Sequence, residues 1–178
     1  MHRRAFLAKA AAAVRWGLGA ALALPGLLFV IAPPGRARAR KQSVRLARMD
    51  AIPDDRPVCV TVAADRWDAY IHYPSGPIGR VWMLRTDAAG GDGVFRCFQA
   101  ICPHLGCLIE YSPGRGTFHC PCHASAFDKD GQRLFGPSPR DMDPLPLRVT
   151  EPDDDGHRWV EVDYQEFETG VAERRPVA

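Results

Sequence analysis

No acidic residue occurs in the first 49 positions of this chain, although ten lysines and arginines do. Residues 50–178 reverse the balance, with thirteen basic and twenty-one acidic side chains, a formal net of −8. The overall charge of +2 therefore conceals a basic arm joined to an acidic domain. No amphipathic helix of useful length is readable after residue 50, which excludes a helical bundle. No two-His-one-carboxylate motif is present, so a mononuclear iron oxygenase would lack its metal site. No helix carrying His-x3–5-His follows the cysteines, which removes the zinc-finger pattern.

What remains is a chain of short strands. Segments 58–63, 81–85, 94–100, 117–120, 145–150 and 159–162 are rich in β-branched or aromatic residues. Segments 87–93, 112–116, 128–131 and 151–156 supply the turn residues between them. About 130 residues suffice for one all-β domain with its own core. The stretch 64–79, with Trp67, Tyr70 and Tyr73, reads as an insertion between two strands, either a partner contact or a surface flap. Residues 163–178 read as a poorly ordered tail.

Two runs carry the chemistry, Cys102-Pro103-His104-Leu105-Gly106-Cys107 and Cys120-Pro121-Cys122-His123. Each offers one Cys–His pair and one spare cysteine. The pattern C-x-H, fifteen residues, C-x-x-H supplies two thiolates and two imidazoles. That donor set fits a mixed-ligand iron–sulfur centre, in which neutral imidazoles leave the cluster less negative and easier to reduce. A tetrahedral Cys2His2 zinc site is the rival reading, and it leaves the two extra cysteines unexplained. Cys59 and Cys97 lie in apolar, strand-like runs and read as buried free thiols rather than a further disulfide. Among the histidines, His72, His119 and His157 read as structural. Alternation along a strand would turn His119 away from the ligand at Cys120.

These runs resemble the Rieske iron–sulfur subunit of cytochrome bc and bf complexes, the quinol:cytochrome oxidoreductases. The resemblance covers about residues 95–150. It implies an antiparallel β-sandwich with a small cluster-binding subdomain at about 101–140. It also implies one [2Fe–2S] cluster, with Cys102 and Cys120 on the buried iron and His104 and His123 on the outer one. Cys107 and Cys122 match the disulfide that ties the two cluster loops together in that branch of the family. Ser125 falls where the family places a hydroxyl that donates to a bridging sulfide. Phe127 falls where high-potential members have a tyrosine donating to a ligand sulfur. Hydrogen bonds to cluster sulfurs favour the reduced state, so the phenylalanine implies an intermediate potential, better suited to menaquinol than ubiquinol. Gly136-Pro137-Ser138-Pro139 resembles the proline loop that covers the cluster from a third side, stiff because proline fixes φ.

At the other end, Arg3-Arg4-Ala5-Phe6-Leu7 with Lys9 resembles the twin-arginine export signal, read by an exporter of folded proteins. Residues 1–15 are taken as this cytoplasmic signal region and 16–32 as a transmembrane anchor. Seventeen residues give roughly 26 Å, and the alanine-rich lead-in from Ala10 extends the helix toward a full span. An uncleaved anchor fits these lengths better than a removed signal peptide, whose candidate site at Ala37-Arg38-Ala39 is flanked by arginines. Residues 33–49 are read as a basic tether and 50–162 as the cluster domain. Basic residues number four before the anchor and six after it, which by the positive-inside rule would keep the domain in the cytoplasm. The export signal overrules that count, because long domains cross largely regardless of loop charge. A disulfide also belongs in an oxidising compartment. The expected location is thus the outer, periplasmic side of a bacterial inner membrane, with the basic arm against anionic headgroups.

By the same resemblance, the chain carries electrons from membrane quinol to a cytochrome c-type haem beside a cytochrome b-type subunit. His123 would receive the quinol's hydrogen bond and take a proton with the electron, and Leu105 would line the docking surface. The alternative is the exported Rieske small subunit of a molybdenum oxidoreductase such as arsenite oxidase. No nucleic-acid partner is expected, because the basic arm sits next to a membrane helix.

Overall fold

The computed structural model describes residues 2–31, 42–54, 56–68, 71–86 and 93–177. The chain divides into two units, residues 1–38 with Ala178, and 39–177. The first holds one helix, α1 (Arg3–Ile31), of 29 residues. At 1.5 Å per residue it is about 44 Å long. It starts well before residue 16 because the alanines from Ala10 and the flanking Arg, Leu and Lys residues are all good helix formers. Pro25 lies inside the helix without ending it. Trp16, Leu22 and Val30 are exposed, as expected of a helix that faces hydrocarbon. It is long and apolar enough to cross a membrane.

The second unit is all β. Its strands are β1 (Gln42–Arg48), β2 (Val58–Asp68), β3 (Ile71–Thr86), β4 (Val94–Gln99), β5 (Glu110–Ser112), β6 (Thr117–Cys120), β7 (Ser125–Phe127), β8 (Arg133–Phe135), β9 (Leu147–Val149) and β10 (Trp159–Tyr164). They form three antiparallel sheets, ordered β1-β10-β9, β2-β3-β4 and β5-β6-β7-β8. Alternation along the first two sheets sends Val44, Val62, Val81, Met83, Val160 and Val162 into one buried core. A second core joins the β2-β3-β4 sheet to the four-stranded one and contains Leu84, Phe98, Ile109, Phe118, Phe127 and Met142, together with Cys102 and Cys120. Trp82 on β3 links the two regions. Its ring lies 5.4 Å from that of Phe118, and its Nε1 donates to the Ile109 carbonyl at 3.0 Å.

Four expectations are corrected. The tether expected over 33–49 ends early, because Gln42–Arg48 is a strand; residues 33–41 lie outside the described residues. Its basic side chains hid the alternation: Val44 pairs with Val162 in the core, while Arg45 stands opposite Glu161, 3.6 Å away. The stretch 64–79 is no separate insertion. β2 and β3 run on as one hairpin to Asp68 opposite Ile71, and Tyr70 falls outside the described residues. The tail is ordered, since Tyr164 and Phe167 are buried in the first core and Phe167 bridges to Pro176. Finally, Cys97 is buried, with its thiol pushed up to about 12 by desolvation, whereas Cys59, across the strand from Trp82, is exposed.

Candidate metal centre

Both ligand runs are turns closed in the same way. In loop 1 the Gly106 N–H donates to the Cys102 carbonyl at 3.0 Å, and the Cys102 N–H to the Cys107 carbonyl at 2.8 Å. In loop 2, which joins β6 to β7, the Ala124 N–H donates to the Cys120 carbonyl at 3.1 Å. Each turn exits through a left-handed residue, Gly106 at φ +79° and Ala124 at φ +57°. The Cys107–Cys122 disulfide joins the loops, with the Cα atoms 6.5 Å apart.

A third loop lies on the second. The N–H of Ser138 donates to the buried Ser125 Oγ at 3.1 Å. Gly136, at φ +97°, sits so close to loop 2 that a Cβ would stand 2.4 Å from the Ser125 Cα. Only glycine fits there. Pro137 is exposed on the outside of this loop.

Within this frame Cys102 and Cys120 are buried, His104 is partly buried and His123 is exposed. The two imidazole rings meet edge to face with centroids 4.8 Å apart. The Cys120 sulfur lies within 4.8 Å of both disulfide sulfurs. Burial first, and then the neighbouring Cys120 thiol, push the Cys102 thiol up to about 11; hydrogen bonds from the His104 backbone and the Ser125 hydroxyl act the other way. The two thiols neighbour each other, as do the two imidazoles, on loops joined by the disulfide. Together they supply the donor set of a mixed sulfur–nitrogen site. The His104 Nδ1 is buried without a hydrogen-bond partner, a state that costs roughly 1–3 kcal/mol and that a metal bond would relieve. Metal binding would likewise draw the buried thiols into their thiolate form. The residues present therefore fit the group.

The remaining expected residues fall around this centre. Phe127 is fully buried in the same core cluster as Cys102 and Cys120. Leu105 is 62% exposed beside His104. His119 points out of that core, with Nε2 3.4 Å from Glu110. It lines a cavity of about 320 Å³ behind loop 2, with Pro121, Leu134 and Phe135. Sequence reasoning missed Asp143, which is 1% exposed and grips Arg140 through two bonds of 2.9 and 2.8 Å. Its one signal was an acid set between Met142 and Pro144, just past the proline loop.

The model of the Rieske [2Fe-2S] domain matches residues 44–147. The chain belongs to the Rieske [2Fe–2S] family. Its cofactor is accordingly one Rieske-type [2Fe–2S] cluster. The chain is similar to the cytochrome b6-f complex iron–sulfur subunit of Prochlorococcus marinus, 33% identical over 103 residues, 53% of this chain and 56% of the relative. To the same subunit from another strain of that organism it is 39% identical over 85 residues, 46% of each chain. The Rieske chain thus spans about half the length of the curated relatives it matches. A solved chain of a hyperthermophilic respiratory Complex III overlaps 85% of this chain and 97% of its own length, at 22% identity and a TM-score of 0.39.

Proposed function

We propose that this protein is the iron–sulfur subunit of a bc/bf-type complex, passing electrons from membrane quinol, menaquinol by preference, to a cytochrome c-type haem. Cys102 and Cys120 would hold one iron of the cluster and His104 and His123 the other. The observation that carries the reading is the pairing of this ligand set with the Cys107–Cys122 bridge between the two loops. The similarity to iron–sulfur subunits of cytochrome b6-f complexes supports it. The cluster, when bound, supplies a one-electron carrier. The chain's own residues do the rest. The buried sulfur side excludes water through Phe127 and the second core. The exposed ring of His123 presents its free nitrogen to the quinol hydroxyl and takes the proton released there. Leu105, exposed next to His104, forms part of the apolar rim against the cytochrome b subunit. The Ser125 hydroxyl, already placed against the Cys102 thiol, would donate to sulfur at the bound cluster and Phe127 would donate nothing, which would give an intermediate potential.

The helix α1 serves as an uncleaved anchor, with the twin-arginine run directing export of the folded, cluster-loaded domain. The domain then stands on the periplasmic side of the bacterial inner membrane, where the disulfide is stable. Purification from detergent-solubilised membranes tests the assembly: a cytochrome b and a c-type haem should accompany the chain, whereas a molybdopterin subunit in their place contradicts it. Redox titration tests the proton step. The midpoint potential should fall with rising pH on the alkaline side, and a flat profile contradicts proton uptake at His123.

A further inference from the structure

The last residues of the chain cross loop 1. The Gly170 N–H donates at 2.8 Å to the carbonyl of Pro103, in the peptide unit that leads into His104. Gly170 also approaches the His104 carbonyl, which would stand 3.6 Å from a Cβ placed there. The segment that brings Gly170 to this point is fastened at both sides. Arg140 donates to the Glu168 carbonyl at 2.8 Å and is itself held by Asp143. Arg174 donates to the same Asp143 at 2.9 Å. Asp143 is thus a buried carboxylate shared by two guanidiniums, one from the end of the proline loop and one from the chain terminus. Removing this buried carboxylate would take the shared partner from both guanidiniums at once.

We propose that residues 166–177 form a C-terminal strap that braces loop 1 and positions His104, with Asp143 as its lock and the Gly170 N–H as its contact. This deepens the ligand assignment above and rests on it. Loop 2 has the proline loop against it; the strap gives loop 1 a corresponding brace drawn from the far end of the chain. A locked loop 1 keeps the outer-iron imidazole in one orientation, which is how supporting hydrogen bonds tune and retain a metal.

The test uses the full-length, cluster-loaded protein in detergent. Gly170→Pro removes the donor and, because Gly170 sits at φ +78° where proline cannot follow, also shifts the strap backbone. Arg174→Gln loosens the lock without touching that backbone, and Arg175→Gln, on an exposed side chain paired with Glu173, is the control. Two readouts are followed, the rate of iron release to a chelator and the EPR line shape of the reduced cluster. Loss of the bracing hydrogen bond together with the strap conformation should speed iron release by at least roughly tenfold in Gly170→Pro, with a smaller increase in Arg174→Gln. The EPR lines of both should broaden, while Arg175→Gln matches the wild type. Should Gly170→Pro fail to fold, Arg174→Gln decides alone. Wild-type release rates and line shapes in the folded strap variants would overturn the strap while leaving the ligand assignment intact. A wild-type protein with no cluster to lose would overturn both.

Discussion

Loop 1 (102–107) and loop 2 (120–124) share a plan: a cysteine whose carbonyl accepts the turn-closing N–H, a histidine at the tip, and a left-handed exit. Their surroundings differ. Loop 2 is hemmed in by its sequence neighbours, since β6 and β7 pair directly across it and the proline loop follows eleven residues later. Loop 1 is flanked by the isolated bridge Ile101–Leu108 and is contacted by the end of the chain, some 65 residues away. The side-chain donor to sulfur also belongs to loop 2: Ser125, at its exit, reaches the Cys102 sulfur of loop 1. One loop is thus specified locally and the other by long-range packing, and the disulfide couples them.

The largest effect is expected from cutting that coupling. Replacing Cys107 and Cys122 by serine opens a crosslink spanning fifteen residues, worth about 3 kcal/mol in the chain-entropy account. Thermal unfolding of the cluster-loaded double variant should show it, and unchanged stability would mean that each loop stands alone. Next comes the local brace of loop 2. Gly136→Ala places a methyl against the Ser125 backbone and should destabilise the protein by about 2–3 kcal/mol, as measured by denaturant unfolding. A neutral result would show that the proline loop can lift off at no cost.

The tuning asymmetry gives a smaller, directional effect. Phe127→Tyr adds a hydroxyl beside the buried sulfurs. If it donates one hydrogen bond of about 1 kcal/mol, the midpoint potential rises by roughly 40 mV in protein-film voltammetry. An unchanged potential would remove Phe127 from the tuning account. The smallest expected effect is at the loop exits. Ala124 adopts a left-handed conformation that costs a non-glycine residue about 1 kcal/mol or more, and loop 1 uses Gly106 at the same place. Ala124→Gly should therefore stabilise the fold by about 0.5 kcal/mol after its own entropy cost, read as a small rise in Tm. A loss of stability would show that the two exits are not equivalent.

The same contrast explains what could be read from the chain. Strands such as Thr117–Cys120 and Trp159–Tyr164 announce themselves by β-branched and aromatic residues, and the two ligand runs by residue type and spacing. Ser125, Phe127 and the proline loop follow loop 2 closely enough to be found by position. What escaped depends on partners far along the chain. Gln42–Arg48 looks like a basic tether until Glu161 and Val162 are set beside it. Phe167 and Arg174 look like tail residues until the core and Asp143 are in place. Cys59 and Cys97 occupy similar runs, and only the sheet packing makes one exposed and the other buried.

The central claim is that two sulfurs and two imidazoles, one of each from either loop, hold a single cluster. Pulsed EPR of the dithionite-reduced protein tests it most directly, by resolving nitrogen hyperfine couplings on the paramagnetic iron pair. The account predicts a rhombic signal coupled to two imidazole nitrogens, with one coupling lost from any signal that survives in His104→Cys or His123→Cys. An EPR-silent protein carrying zinc, or a cluster signal with no nitrogen coupling, would contradict it.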